Sequence, residues 1–139
     1  MSFLFRFRKD RVEDGWVSRP KIKITLIHQN KSKEVIAVLD TGSDLVFIPA
    51  EIAEYFDLAL SEKELIAQGI ETNFSYKTAK IQIKLENPHN SYKKSVSVMV
   101  PAKETMHRDV ILGSEFLKDF SVLFDYPNET VKLTQKTKK

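Results

Sequence analysis

An aspartate directly follows an apolar run in residues 37–44, Ala-Val-Leu-Asp-Thr-Gly-Ser-Asp, and two hydroxyl residues and a glycine come after it. A carboxylate held in such a turn can serve as a general acid or a general base. Hydrolysis of a peptide bond without a metal or a nucleophilic side chain needs both, and two carboxyl groups that share one proton supply them. The chain contains one Asp-Thr-Gly, so the second carboxylate would be Asp40 of a second copy, related by a two-fold axis.

Several segments predict the β-strands that would hold this turn. Residues 20–28, 79–86 and 94–101 alternate apolar and polar side chains, the pattern of half-buried strands. Residues 35–39 form a continuous apolar run, which predicts a strand buried on both faces. A further strand is predicted in residues 44–49. The aspartate of the turn would therefore stand at the end of a rigid strand.

Two short helices and a hairpin complete the predicted fold. Pro49 suits the start of a helix in residues 50–60, and Ser114 can cap a second short helix. Residues 121–133 predict a hairpin around their Pro-Asn pair. The predicted fold class is mainly β, a small closed β-barrel with one or two short helices.

The chain length bounds the domain organisation. The 139 residues suffice for one well-filled core and predict a single domain in residues 20–134, followed by a basic tail in residues 135–139. Residues 1–19 begin with phenylalanines that alternate with leucine and arginine. Three interpretations of this N-terminal segment stay open: an edge strand that completes a dimer sheet, a basic amphipathic segment on a membrane surface, or a flexible tail.

Composition and charge exclude several classes of protein. The chain has no cysteine, which excludes disulfide scaffolds and thiolate metal sites and suits a reducing compartment. The net charge of +3 is spread along the strands, and the apolar start of the chain is too short for a signal sequence or a membrane span. The three histidines are far apart in sequence. We therefore expect a cytoplasmic protein with no cofactor, no metal, no nucleic-acid partner and no membrane span.

Other interpretations of the same residues are weaker. Asp-Thr-Gly-Ser after a strand is also ordinary turn chemistry, in which the side chains bond to local N–H groups. Ser43 as a nucleophile lacks the Gly-x-Ser-x-Gly elbow and a histidine nearby in sequence. Residues 107–109, His-Arg-Asp, occur without the glycine-rich loop and the Asp-Phe-Gly of a kinase.

Three features of the chain occur together: Asp-Thr-Gly-Ser-Asp after an apolar strand, Gly69 between two strands, and Val-Ile-Leu-Gly in residues 110–113 before a short helix. In this combination, over about residues 22–133, the chain resembles the retropepsins, the retroviral-type aspartic proteases. The resemblance implies a barrel of the retropepsin type with one lobe of the enzyme per chain.

The resemblance also implies a role for each residue of the turn. Asp40 would be the catalytic aspartate, Thr41 would tie the two catalytic loops together, and Gly42 would allow a close approach of the backbone. Ser43 would hydrogen-bond the aspartate, and Asp44 would bind the substrate backbone.

Residues outside the turn receive roles from the same resemblance. Gly69 and Ile70 would bind substrate as part of a flap, with Phe74 or Tyr76 as an aromatic wall. Retropepsins commonly carry arginine or a similar residue after the glycine that corresponds to Gly113, and Ser114 occupies that position here. The residues that would pass behind the catalytic loop are Ile111, Leu112 and Gly113.

The expected function is that of a homodimeric aspartic endopeptidase, which hydrolyses a peptide or protein substrate with a water activated by two symmetry-related Asp40 carboxylates. The alternative is a retropepsin-like module that dimerises and binds peptides with weak or no catalysis. The intact Asp-Thr-Gly favours the enzyme, and Ser114 favours the alternative.

Overall fold

The computed structural model describes residues 1–68, 73–102 and 109–136. Within these ranges neither helix has the length and apolar character needed to cross a membrane. The helices are α1 (Ala50–Phe56) and α2 (Ser114–Leu117). The strands are β1 (Ser2–Arg6), β2 (Arg8–Val12), β3 (Gly15–Arg19), β4 (Lys21–His28), β5 (Lys31–Leu39), β6 (Val46–Phe47), β7 (Leu65–Gln68), β8 (Asn73–Glu86), β9 (Ser91–Pro101), β10 (Val110–Leu112), β11 (Phe120–Asp125) and β12 (Thr130–Gln135).

Six strands close into a β-barrel in the order β4-β5-β10-β6-β9-β8 and back to β4. The closure is the antiparallel pairing of β8 with β4, in which Leu26 lies opposite Ile83. Strand β7 adds a further strand beside β8. The predicted mainly β fold, a small closed barrel with two short helices, is confirmed.

The barrel core is built from the apolar faces of the alternating strands. In β4, β8 and β9 the apolar residues of the alternation are buried, as predicted. Full burial of an aliphatic side chain contributes about 1.5–3 kcal/mol, so these faces decide the register of the strands. The buried residues of the three strands include Ile22, Ile24, Leu26, Ile81, Ile83, Leu85, Val96, Val98 and Val100.

Strand β5 is not buried on both faces, so that prediction is wrong. Ala37 and Leu39 are buried, whereas Val35, Ile36 and Val38 are only half-buried. Within one chain the barrel core covers a single face of this strand, and β5 therefore alternates in burial like its neighbours.

The residues next to the helices also differ in part from the prediction. Helix α1 begins directly after Pro49, as predicted, but the strand before it is reduced to Val46–Phe47. Helix α2 begins at Ser114 itself, and Gly113 occupies the N-cap position without a side-chain hydrogen bond. Ser114 is therefore not the cap of α2.

The first and last strands of the chain pair with each other. Strand β1 lies antiparallel to β12, and β12 pairs with β11 in the predicted hairpin. Phe3 of β1 is 1% exposed and belongs to the same core as the barrel residues. Residues 1–6 are thus an ordered part of this chain's own sheet, and residues 8–19 form the separate hairpin β2–β3. In the tail, Gln135 ends β12 and residues 137–139 lie outside the described ranges.

Candidate active site

The Asp-Thr-Gly turn begins where β5 ends. Asp40 directly follows Leu39, the last residue of β5, and Leu112 of β10 pairs with Leu39 in parallel register. The Asp40 amide donates a hydrogen bond of 3.0 Å to the Leu112 carbonyl oxygen, so the ladder between the two strands continues into the turn. The candidate catalytic residue is therefore attached to the barrel wall.

Backbone amides orient the Asp40 carboxylate within the turn. The Gly42 amide donates to Oδ1 of Asp40 at 2.9 Å. The Ser43 amide donates to the Asp40 carbonyl oxygen at 3.2 Å and closes the turn. The Asp40 side chain is exposed, so water and a substrate can reach it.

Gly113 packs directly against this turn. A Cβ atom on Gly113 would lie 2.3 Å from the Ser43 carbonyl oxygen and 2.4 Å from the Leu45 carbonyl oxygen. The φ angle of Gly113 is −94°, which any residue adopts, so the close approach of two backbones and not the backbone conformation requires glycine. Ile111, Leu112 and Gly113 thus lie beside β5 and its turn.

The first turn of α2 hydrogen-bonds to residues 43 and 44 of the Asp40 turn. The Ser114 amide donates to the Ser43 carbonyl oxygen at 2.8 Å, and the Glu115 amide donates to the Asp44 carbonyl oxygen at 2.9 Å. The Ser114 hydroxyl also donates to the Asp44 carbonyl oxygen, at 3.2 Å. Where the resemblance would place an arginine, Ser114 therefore contacts the backbone of Asp44 and not its carboxylate.

Ser43 contacts Asp40 through its backbone amide only. Its hydroxyl donates to the Leu45 carbonyl oxygen at 3.0 Å, and a hydroxyl has a single proton to donate. The hydrogen bond from Ser43 to Asp40 is thus made by the amide to the Asp40 carbonyl oxygen, while the hydroxyl donates to the carbonyl two residues further along the same turn. The side chains of Thr41 and Asp44 are exposed.

The predicted flap corresponds to the hairpin of β7 and β8. Leu65 pairs with Tyr76, and Gln68 pairs with Asn73, so the strands run antiparallel up to residue 68. Gly69 and Ile70 lie outside the described residues, as does the side chain of Phe74. The Tyr76 side chain is half-buried.

The carboxylates of Asp40 and Asp44 are both exposed on this turn, and the one that accepts a hydrogen bond from the Gly42 amide is that of Asp40. One carboxylate can act as a base toward water or as an acid toward a carbonyl oxygen, but one group cannot do both in the same step. Within the described residues, no group of three or more His, Cys, Asp or Glu side chains could hold a metal ion. A carboxylate held in this way can act as a general acid or a general base.

Sequence reasoning missed a buried lysine next to the site. Lys21 is 8% exposed, and its Nζ lies 2.6 Å from Asp10 Oδ2 and 2.8 Å from Asp109 Oδ2. The alternation of β4 assigns Lys21 to the polar face, and no sequence signal distinguishes it from exposed Lys23. Asp109 directly precedes β10, so the ion pairs lie beside the strand that supports the turn.

A second missed cluster fixes α2. The Tyr92 hydroxyl donates to Asp119 Oδ2 at 2.7 Å, and Lys94 Nζ lies 2.8 Å from the same oxygen. Lys94 also donates to the Glu115 carbonyl oxygen at 2.9 Å. Hydrogen bonds from Lys94 and Tyr92 lower the pKa of Asp119. Burial, together with the Asp119 carboxylate, raises the pKa of Tyr92.

Comparison with known proteins gives a family match over most of the chain. A family model described as eukaryotic aspartyl protease matches residues 16–136. A comparison with curated proteins found no match.

Solved structures with a similar fold include a retropepsin-like aspartic protease from Rickettsia conorii. It is 14% identical, with a TM-score of 0.58, and the match covers 96% of this chain and 90% of that chain. The EIAV protease complexed with the inhibitor HBY-793 is 17% identical over 73% of this chain and 86% of that chain, with a TM-score of 0.47. The retroviral protease-like domain of Ddi1 from Leishmania major is 11% identical over 85% and 95% of the two chains, with a TM-score of 0.46.

Proposed function

We propose that this chain, which belongs to the aspartyl protease family and is retropepsin-like, works as a homodimeric endopeptidase. The observation that carries the proposal is the Asp40 turn. Its carboxylate is exposed and is oriented by the Gly42 amide, and the Asp40 backbone amide donates to the Leu112 carbonyl oxygen of β10. A preorganised group on a rigid element is what acid–base catalysis requires. The cytoplasmic location expected from the sequence remains a prediction.

A second copy of the chain would complete the site. The chain has one Asp-Thr-Gly turn, and a two-fold axis beside it would bring the second Asp40 into equivalent geometry. Thr41 is exposed next to Asp40, which suits its expected contact with the partner's turn. Asp44, also exposed, would bind the substrate backbone, and Gly69 and Ile70 would close over it from the hairpin of β7 and β8.

In the mechanism, the two Asp40 carboxyl groups share one proton, because two carboxyl groups about 3 Å apart are not both ionised. The ionised carboxylate takes a proton from a water, whose oxygen attacks the carbonyl carbon, while the protonated carboxyl gives its proton to the carbonyl oxygen. The resulting diol collapses when the proton taken from water passes to the amide nitrogen and the C–N bond breaks. The other carboxyl then recovers its proton from the diol, and one water has been consumed.

A second candidate function is a peptide-binding module with weak or no catalysis. Ser114 favours it, since within the described residues the Asp44 carboxylate has no cationic partner where the resemblance would supply one. Such a module would keep the dimer and bind peptides without turnover.

Hydrolysis of a denatured peptide library by the purified protein separates the two functions. The enzyme should cleave internal peptide bonds, a pepstatin-type mimic of the diol should inhibit it, and Asp40→Asn should abolish cleavage while leaving the fold intact. Peptide binding without cleavage by the wild type would instead support the binding module. Cleavage that survives Asp40→Asn would contradict the proposed mechanism.

A further inference from the structure

A surface groove of about 480 Å³ lies at the base of the β7–β8 hairpin. It is bordered by α1, by the chain that follows α1, and by the end of β9. Lys77 of β8 lines it, and the neighbouring Tyr76 pairs with both Leu65 and Pro101, which places the groove at the root of the hairpin. Its described lining residues include none from residues 40–44, so the groove is separate from the catalytic turn.

The floor of this groove, here called the root groove, is apolar and firmly packed. Ala53, Leu58, Val100 and Pro101 line it and are all buried. Leu60 stands at its side and is 43% exposed. A concave apolar surface of this kind gains free energy when an apolar side chain displaces water from it.

The rim of the root groove is acidic, although the chain as a whole has a net charge of +3. Glu54, Asp57 and Glu64 are exposed on the rim, and none of them forms an ion pair with a described residue. The backbone that carries two of these residues is fixed at the end of α1, where the Asp57 amide donates to the Glu54 carbonyl oxygen at 3.0 Å. Lys77 is the single basic side chain among the described lining residues.

We infer that the root groove is an accessory binding site for a segment of the polypeptide substrate that carries lysine or arginine beside an apolar side chain. The apolar side chain would occupy the floor, and the cation would face the three rim carboxylates. The inference rests on the proposed function, since the segment belongs to the molecule that is cleaved. Because the groove leaves Asp40 open, a bound segment would raise the effective concentration of the scissile bond at the turn without contacting it.

Peptide binding to full-length protein that carries Asp40→Asn tests the site without turnover. The probe is a fluorescein-labelled peptide of alternating leucine and lysine, compared with the same peptide carrying glutamate in place of lysine. The groove variant combines Glu54→Gln, Asp57→Asn and Glu64→Gln. It should weaken binding of the lysine peptide about tenfold, while the glutamate peptide should bind weakly to every form of the protein.

A control variant removes the same charge elsewhere on the surface, through Glu13→Gln, Asp14→Asn and Glu62→Gln. These residues are exposed and do not line the root groove. The control should change the dissociation constant of the lysine peptide less than about twofold. Equal weakening of lysine-peptide binding in both variants would show that the effect depends on net charge alone and would overturn the inference. Equal affinity of the protein for the lysine and glutamate peptides would also overturn it.

Cleavage kinetics separate this inference from the proposed function. On a substrate whose cleavable sequence is joined to the basic segment by a flexible linker, the groove variant should raise KM about tenfold and leave kcat unchanged. A short substrate without the segment should be cleaved equally by all forms. Binding at the groove without any hydrolysis by the wild type would overturn the proposed function and leave the groove as a binding site for basic peptides that are not cleaved. Hydrolysis that is indifferent to the groove variant, or loss of the dimer in that variant, would overturn the inference alone.

Discussion

Lys21 Nζ lies 2.8 Å from Asp109 Oδ2, and the residue after Asp109 begins β10, the strand whose Leu112 carbonyl holds the Asp40 amide. Asp10 of the β2–β3 hairpin lies 2.6 Å from the same ammonium group. One buried charge therefore connects the N-terminal hairpin to the strand that supports the Asp40 turn.

Lys21→Met should lower the free energy of unfolding by about 1–3 kcal/mol, because Asp10 and Asp109 lose their shared cation. Urea unfolding measures this, with Lys23→Met as the matched control. Lys23 pairs with Glu34 where both side chains are more than half exposed, so its loss should cost less than about 0.5 kcal/mol.

The contribution of Lys21 should depend on pH. Burial lowers the pKa of Lys21, but the carboxylates of Asp10 and Asp109 outweigh burial and raise this pKa above 10.5. The contribution should thus be complete below pH 10.5 and fade above it, and equal losses in the two variants would contradict this role.

Asp119 should stabilise the protein with the opposite pH dependence. Hydrogen bonds from Lys94 and Tyr92 lower the pKa of Asp119 below 3.8, so its contribution is present above that value and is lost as the pH falls through the lowered pKa. Asp119→Asn should reduce the free energy of unfolding by about 1–2 kcal/mol at pH 6, with a smaller difference at pH 3. Unfolding curves at both pH values measure this, with exposed Asp14→Asn as the control. A loss of equal size at both pH values would rule out the ionised carboxylate as its source.

Gly113→Ala should damage both stability and activity. The new Cβ would meet the Ser43 and Leu45 carbonyl oxygens at 2.3 and 2.4 Å, so the turn or β10 has to shift, at a cost of about 3 kcal/mol. Gly42→Ala is the graded comparison, since its Cβ would meet only Asp40 Oδ1, at 3.3 Å. Its effect on thermal unfolding should be smaller. Unchanged unfolding of Gly113→Ala would show that the backbones are not in close contact.

Ser43→Ala should leave the pH–rate profile almost unchanged. The Ser43 hydroxyl donates to the Leu45 carbonyl and not to the Asp40 carboxylate, so its removal costs about 1 kcal/mol of stability without altering the protons of the pair. The profile is measured on a peptide cleaved by the wild type. A shift of both limbs to higher pH would show that the hydroxyl turns toward Asp40 in the dimer.

Inactive chains should inhibit active ones, because in the proposed mechanism each site needs Asp40 from both copies. In an equimolar mixture of wild type and Asp40→Asn that exchanges subunits freely, about one quarter of the dimers contain two active chains. Activity per wild-type chain should therefore fall to about half, and dilution below the dimer dissociation constant should lower it further. Activity that is indifferent to both treatments would assign catalysis to a single chain.

Much of the fold follows from the sequence alone, because periodicity and turn chemistry act locally. The alternation of residues 20–28, 79–86 and 94–101 decides which side chains meet in a barrel core, and Pro49 marks the start of α1. Asp40 is the candidate catalytic residue by resemblance, because the Asp-Thr-Gly motif, Gly69 and residues 110–113 occur together in the sequence.

Contacts between distant parts of the chain could be identified only from the tertiary structure. Lys21 belongs to the polar face of its strand by pattern, yet Asp10 and Asp109 bury it, because a charge is buried only where folding brings partners to it. The Ser43 hydroxyl donates to the Leu45 carbonyl oxygen in a turn against which the distant Gly113 and Ser114 pack. Burial along β5 also depends on the tertiary structure, which leaves Ile36 and Val38 only half-buried. Secondary structure is largely encoded in neighbouring residues, whereas burial and hydrogen-bond partners depend on which distant segments pack together in the folded chain.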